Sequence, residues 1–144
     1  MLVHQILKSK ASEGVVTVGS TTKVSEVARI LTEKGIGTVV VSDDGKTPQG
    51  ILSERDIVRQ LSRVGSGCLD KTAGDYMTSK LVTCTLQSSV DDVLRQMTDG
   101  RFRHMPVIEE DAMVGLVSLG DVVKAQLAHL EMEKDALEHM IMGH

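Results

Sequence analysis

One sequence pattern occurs twice in this chain, and the second copy stands 65 residues after the first. The first copy runs from Gly50 to Asp56 and the second from Gly115 to Asp121. Both read glycine, two aliphatic residues, serine, two variable residues and aspartate. A unit repeated within 144 residues indicates an internal duplication, which constrains the fold more than any single residue does.

The segments around the two copies repeat as well. Apolar residues at helical spacing predict one amphipathic helix in each repeat: Val24, Val27 and Leu31, then Val90, Val93 and Met97. We expect Thr22 or Ser25 to cap the first of these helices and Ser88 or Ser89 to cap the second. Short apolar runs predict strands at 15–18, 38–41 and 49–52, and again at 81–84, 104–107 and 113–117. A lead-in turn precedes each repeat, at residues 4–7 and 75–78.

Each repeat therefore reads β-α-β-β-α. A unit of about 55 residues covers its own sheet poorly, so we predict an α+β fold in which two repeats pack sheet to sheet with pseudo-two-fold symmetry. The predicted divisions are a first repeat with its lead-in turn at 1–64, a linker at 65–74, a second repeat at 75–128 and a helical extension at 129–144. The glycines at 65 and 67, with serine between them, indicate that the linker is flexible.

The composition of the chain argues against several classes of function. The net charge of -4 argues against a general affinity for nucleic acid. No apolar stretch is long enough to cross a membrane, and the N-terminal apolar segment is too short for a signal peptide. Cys68 and Cys84 have the spacing of neither a zinc site nor a disulfide framework. We therefore predict a cytoplasmic protein that binds neither nucleic acid nor a membrane.

The order of elements and the repeated motifs resemble a tandem pair of CBS domains, also called a Bateman module. The resemblance rests on four segments and covers roughly residues 2–128: Gly35 to Val41, Gly50 to Asp56, Arg103 to Val107 and Gly115 to Asp121. It implies a stand-alone regulatory sensor that is not an enzyme and has no obligatory cofactor. Such a sensor binds an adenosine-containing ligand (AMP, ADP, ATP or NAD(H)), usually forms a homodimer and signals to a separate effector protein.

The resemblance also implies two ligand clefts, each joining the Ser-x-x-Asp of one repeat to strand segments of the other. Cleft one would contain Ser53, Arg55, Asp56, Thr83, Arg101, Phe102, Arg103, His104 and Pro106. Cleft two would contain Thr17, Ile36, Gly37, Thr38, Ser118 and Asp121. A carboxylate can accept hydrogen bonds from both ribose hydroxyls, and a helix N-terminus offers free N–H groups to a phosphate.

The two clefts are unequal in charge. Arg101, Arg103 and His104, with Arg55 near them, favour phosphate binding in cleft one. Thr38 stands in cleft two where His104 stands in cleft one, and no comparable cations accompany it. We therefore expect cleft two to hold a nucleoside, a weakly bound nucleotide or nothing.

An alternative interpretation needs no ligand. Ser-x-x-acid at a helix start is also a capping box, in which serine and the acid satisfy each other's backbone N–H groups. On that interpretation the clefts are degenerate, and the chain is a dimerising scaffold or interaction module. No activated nucleophile and no metal-ligand set is evident, so we predict no catalytic residues and no metal site.

The C-terminal segment predicts a further helix. Apolar residues follow a rhythm of three and four that is broken once, by Lys134: Val123, Leu127, Leu130, Leu137 and Ile141. We expect the helix to reach about Met142 and to stop at Gly143. Its apolar stripe either folds back on the repeats or packs on a second chain, and we predict a dimer contact.

Overall fold

The computed structural model describes residues 1–10 and 14–142. Six α-helices are present in these ranges: α1 Val3–Ser9, α2 Val24–Lys34, α3 Glu54–Val64, α4 Ala73–Tyr76, α5 Val90–Gly100 and α6 Leu119–Ile141. Five strands accompany them: β1 Thr17–Val18, β2 Thr38–Val41, β3 Gly50–Ser53, β4 His104–Glu109 and β5 Ala112–Ser118. The strands form two sheets, which confirms the predicted α+β class.

The chain divides into two compact units. One contains α1, residues 83–108 and the chain from Gly115 onward; the other contains residues 14–82 and 109–114. Each lead-in helix consequently belongs to the unit of the other repeat. In α1, Val3 N–H donates to the Ser88 carbonyl at 2.9 Å, and at the start of α4, Ala73 N–H donates to the Thr22 carbonyl at 2.7 Å.

The unit of the first repeat is built on a three-stranded sheet. β2 lies in the middle, parallel to β1 and antiparallel to β3. The apolar sides of α2 and α3 pack with these strands into one core: Val18, Val24, Val27, Leu31, Val39, Val41, Leu52, Ile57 and Ala73. The segment predicted as a flexible linker instead begins with a 3₁₀ helix, Gly65–Asp70, because Cys68 is fully buried and fixes it to the body.

The unit of the second repeat is built on the two-stranded sheet of β4 and β5, with α1, α5 and α6 around its core. Glu110 and Asp111 connect the strands with φ angles of 49° and 65°, the left-handed values that a two-residue turn of this kind requires. The predicted strand at 81–84 is wrong for most of its length. Only Cys84 pairs, through a single bridge to Val107.

Most helix ends lie where the sequence predicts them. Ser89 caps α5, its Oγ accepting from Asp92 N–H at 3.1 Å, whereas α2 begins after Lys23 and takes no side-chain cap from Thr22 or Ser25. Gly35 ends α2 in the left-handed conformation at φ 62°. α6 ends at Ile141 with Met142 as its cap residue, and the predicted stop at Gly143 lies outside the described residues.

Candidate functional site

The first copy of the motif links β3 to α3. Ser53 is the last residue of β3 and the residue that caps α3. Its N–H donates to Asp56 Oδ2 at 2.9 Å, and Asp56 N–H donates to Ser53 Oγ at 3.2 Å. The Ser53 hydroxyl also donates to Asp56 Oδ2 at 3.0 Å, which fixes the carboxylate against the helix start.

The second copy repeats this geometry between β5 and α6. Ser118 N–H donates to Asp121 Oδ2 at 2.9 Å, and Asp121 N–H donates to Ser118 Oγ at 3.1 Å. A capping box is therefore present at both motifs, whereas the degenerate clefts of the alternative interpretation stay a prediction. The two carboxylates nevertheless keep part of their surface open, since the side chains of Asp56 and Asp121 are 19% and 24% exposed.

Each motif contacts the residue directly before the first long strand of its own repeat, β2 or β4. Glu54 N–H donates to the Gly37 carbonyl at 2.8 Å, and Leu119 N–H donates to the Arg103 carbonyl at 2.7 Å. Thr38 also lies directly opposite Ser53 in the pairing of β2 with β3. Within each unit, the serine, the aspartate and the strand start thus form one group, and the assignment of these residues to clefts across the repeats stays a prediction.

A lysine outside the motif completes the group in the second repeat. Lys10 Nζ lies 2.8 Å from Asp121 Oδ2 and donates to the Leu116 carbonyl at 3.0 Å. Partial burial raises the pKa of Asp121, but hydrogen bonds from Lys10 and Ser118, together with the lysine charge, outweigh burial and leave that pKa below its usual value. Sequence reasoning missed Lys10, because nothing in the sequence signals a contact across 111 residues.

His104 belongs to the same charged group. Burial lowers the pKa of its imidazole; the nearby Asp121 carboxylate opposes this change, while the charges of Lys10 and Arg103 add to it. The resulting pKa lies below the usual 6.5, so His104 is neutral at pH 7. The unit of the second repeat therefore presents two cations, Lys10 and Arg103, together with one carboxylate and a largely neutral imidazole near the start of α6.

The first repeat offers a weaker set of charges. Arg59 Nη1 lies 3.3 Å from Asp56 Oδ1, but its side chain is 62% exposed. Arg55 is exposed as well. Thr17 is half-buried and pairs with Val40, and Ile36 packs against the core of this unit. Within the units, Arg103 and His104 therefore accompany Asp121 and not Asp56. The expected inequality in charge between cleft one and cleft two stays a prediction.

The other residues predicted for cleft one lie around the N-terminal end of β4. Thr83 is exposed and directly precedes Cys84, whose N–H donates to the buried Pro106 carbonyl at 3.0 Å. Arg101 is exposed and holds φ at 56°. Phe102 is half-buried, and its ring lies where a side chain at Gly100 would be, with Cε1 only 2.5 Å from an ideal Cβ at that position.

The glycine of the motif serves packing. A Cβ on Gly50 would lie 2.5 Å from Met77 Sδ, and a Cβ on Gly115 would lie 2.7 Å from Leu7 Cδ1. In both repeats the missing side chain makes room for a residue of a lead-in segment. The repetition of glycine in the sequence was visible, but its reason depends on this long-range contact.

Within residues 1–10 and 14–142, no three His, Cys, Asp or Glu side chains are grouped so that they could hold a metal ion. None of the helices in these same ranges combines the length and apolar character that a bilayer span requires.

A family model for the CBS domain matches residues 5–63 and 73–128. The chain belongs to the CBS-domain family. A mitochondrial CBS domain-containing protein of Arabidopsis thaliana is 36% identical over 124 residues, which are 83% of this chain and 60% of that relative. The chain thus spans about three fifths of the length of this curated relative. These matches indicate no catalytic family.

Solved structures of CBS-domain proteins share the fold. The crystal structure of a CBS-domain containing protein from Agrobacterium tumefaciens is 39% identical, has a TM-score of 0.81 and covers 88% of this chain and 99% of its own. A CBS domain protein from Pyrobaculum aerophilum complexed with AMP is 25% identical, with a TM-score of 0.72 and coverages of 84% and 89%. A CBS domain pair in complex with 5'-methylthioadenosine and S-adenosyl-L-methionine is also 25% identical, with a TM-score of 0.76 and coverages of 90% and 98%.

Proposed function

We propose that this CBS-domain pair is a non-catalytic regulatory module that binds an adenosine-containing ligand at the repeated motif and signals its presence to a separate protein. The observation that carries the proposal is the duplicated geometry of serine, aspartate and strand start. Asp56 and Asp121 would accept hydrogen bonds from the ribose hydroxyls. Ser53 and Ser118 would stand beside the phosphate or its equivalent.

The geometry suits a ribose for a simple reason. Each carboxylate is fixed by its capping bonds yet remains about one fifth to one quarter exposed. A fixed carboxylate loses little side-chain entropy when it accepts two vicinal hydroxyls, so binding costs less than it would with a mobile acid. The two relatives solved with AMP or with S-adenosylmethionine and 5'-methylthioadenosine support adenosine as the shared part of the ligand.

The positive charges near the N-terminal end of β4 favour a phosphorylated ligand there. Arg103 and Lys10 lie near His104 and Asp121, so two positive charges face one negative charge there. An anionic group would balance this local excess through charge-assisted hydrogen bonds. AMP, ADP, ATP and NAD(H) carry such a group, whereas adenosine does not.

Calorimetry with AMP, ADP, ATP, NAD and S-adenosylmethionine on the wild-type chain tests the proposal. Asp56→Asn and Asp121→Asn keep the size of the side chain and part of the cap. Each should weaken nucleotide binding at its own site by about 1–3 kcal/mol, the scale of leaving polar partners unpaired. Asp92→Asn is the matched control, because Asp92 has the same Ser-x-x-Asp spacing at the start of α5 but lies outside the motif.

A second comparison locates the phosphate. Arg103→Ala should reduce the affinity for AMP more than that for adenosine, because only AMP carries the group that the guanidinium would meet. Arg95→Ala, an exposed arginine on α5, is the control for a general change in charge. Equal losses for AMP and adenosine would place the phosphate elsewhere, and added salt should reduce AMP affinity if the assignment is right.

The capping boxes also favour the second candidate, a dimerising scaffold whose sites are degenerate. Both carboxylates already have partners without any ligand. If no compound of the panel binds or raises the melting temperature while the chain still self-associates, the scaffold is the better description, since a bound ligand must stabilise the folded state by mass action. Asn variants that lose stability and keep wild-type affinity would lead to the same conclusion.

A further inference from the structure

The second half of α6 contributes no residue to either of the two cores of the described chain. α6 contains 23 residues, a length of about 34 Å, and residues 130–142 are all exposed. Leu137 is 57% exposed and Ile141 is 84% exposed. Helical segments shorter than about 12–15 residues are marginal in water without tertiary contacts, so this half of α6 lacks the packing that normally stabilises a helix.

The exposed residues follow a strict heptad pattern. Spacings of four, three, four, three and four separate six residues, here called the seam: Val123, Leu127, Leu130, Lys134, Leu137 and Ile141. In coiled-coil terms Leu127, Lys134 and Ile141 occupy a positions, and Val123, Leu130 and Leu137 occupy d positions. Five of the six are large and apolar, and all five are at least 39% exposed, so the apolar part of the seam faces solvent.

We propose that this seam pairs with the seam of a second copy of the chain in an antiparallel two-stranded coiled coil. In that orientation a positions face d positions, and one arrangement matches the whole seam. Leu127 packs on Leu137 of the second copy, Leu130 on Lys134 and Val123 on Ile141. Each of these pairs is centred on residue 132, so the two-fold axis lies level with Met132. No seam residue is left without a partner.

Charge selects the antiparallel orientation. In a parallel pair, Lys134 would stack on Lys134 of the second copy, and Glu133 would face Glu138 on both sides of the seam. Like charges placed directly opposite one another disfavour that arrangement. In the antiparallel pair each Lys134 meets Leu130, and its long side chain lies among acidic side chains of the second copy, Glu131 and Glu133.

Opposite charges also attract each other at the two ends of the coil. Lys124 of one copy faces Glu138 of the other, and this pair occurs twice. Near the axis, Glu131 and Glu133 each approach the same residue of the second copy, but the two Lys134 ammonium groups lie between these carboxylates and offset their charge. In the single chain Lys134 is 73% exposed, with Nζ 3.9 Å from Glu138 Oε1, so it has little structural role there.

Pulsed electron spin resonance on the full chain decides between the orientations. Spin labels are attached at Met132→Cys and, separately, at His139→Cys, two outer positions one heptad apart. A parallel coil gives equal label separations at both sites. The antiparallel coil offsets the labels at 139 by about 21 Å along the axis but those at 132 by none, so the second separation should be clearly longer. Unsubstituted protein is the control for labelling of Cys68 and Cys84, both buried.

The outcomes are distinct. A longer separation at 139 than at 132 supports the proposal. Equal separations, or the absence of a defined distance in a sample that sedimentation shows to be monomeric, would overturn it. Lys134→Leu provides the second variant: removing the charge should tighten association and broaden the label distances, because both orientations then have an apolar seam. Unchanged distances in that variant would show that Lys134 does not set the orientation.

Discussion

At the scale of single residues, the same local pattern serves two purposes. Ser53 with Asp56, Ser118 with Asp121 and Ser89 with Asp92 all show the cap bond from the aspartate N–H to the serine Oγ. Of these three, the first two lie beside the start of β2 or β4. Their side chains are 19% and 24% exposed, whereas the Asp92 side chain is 60% exposed. Spacing alone therefore predicted the cap, and only the surroundings separate a candidate ligand site from an ordinary helix start.

Arg101 offers a test of function against stability. It ends α5 at φ 56°, a conformation that glycine adopts without strain, as Gly35 does at the end of α2. Arg101→Gly should raise the free energy of unfolding by up to about 1 kcal/mol in urea titrations. It should also weaken AMP binding, because it removes a cation predicted for cleft one. Arg95→Gly, in the middle of α5, should instead destabilise the protein by about 1 kcal/mol. Stabilisation with unchanged AMP affinity would remove Arg101 from the site.

His104 predicts a dependence of stability on pH. Its pKa in the folded protein is lower than in the unfolded chain, so the unfolded chain binds a proton first as pH falls below 6.5. The free energy of unfolding should therefore decrease from pH 7.5 to 5.5, by no more than about 1.4 kcal/mol per pH unit for one group. Denaturant titrations should show a smaller decrease in His104→Gln. His4→Gln, which changes an exposed histidine on α1, should retain the wild-type slope, and identical slopes in all three proteins would contradict the assignment.

At the scale of elements, the two repeats differ where one residue changes the hydrogen bonding. In the first repeat, Val40 N–H donates to the Val16 carbonyl and Ser42 N–H to the Val18 carbonyl. The second repeat keeps the equivalent of the latter bond, from Ile108 to Cys84, but places Pro106 at the position of Val40. Proline has no N–H to donate. The apolar run at 81–84 looks like a strand in the sequence, yet it pairs only at Cys84 for this reason.

Sequence predicted the repeated elements well because periodicity is a local property. The spacing of Val24, Val27 and Leu31 located α2, and the serine of each motif marked the starts of α3 and α6. The 3₁₀ helix in the predicted linker was not foreseen, because the burial of Cys68 depends on the rest of the unit. Pairing between distant segments has no local signature, so the contact of Lys10 with Asp121 appeared only in the structure.

The glycines of the motif predict a packing effect that separates them from the ligand site. Gly50→Ala should lower the free energy of unfolding by about 1–3 kcal/mol, because the new Cβ would lie 2.5 Å from Met77 Sδ and 2.9 Å from its Cβ. Gly67→Ala is the control, since no atom lies within 4 Å of its ideal Cβ. Urea titration measures both. Equal stability of the two variants would show that the segment after α4 shifts without cost and that the glycine has another role.

At the scale of the whole molecule, the lead-in segments connect the two repeats. Val3 and Ile6 of α1 are buried in the core of the second repeat, and Ala73 of α4 is buried in that of the first. Each core therefore takes residues from both halves of the sequence. Neither repeat, cut at its boundary in sequence, would keep its own core complete.

Self-association and ligand binding should be separable in the full chain. Leu130→Glu with Leu137→Glu places charges in the apolar seam of α6 and should convert the protein to a monomer in sedimentation experiments. Its melting temperature should lose the dependence on protein concentration that mass action gives to a dimer. Met132→Glu with His139→Glu adds the same side chains on the outer face and should leave association intact. AMP affinity should be unchanged in both variants, because the residues of the motif precede the altered half of α6. An unaltered dimer in the seam variant would exclude α6 as the interface and direct attention to the exposed apolar residues of α3, Val58, Leu61 and Val64.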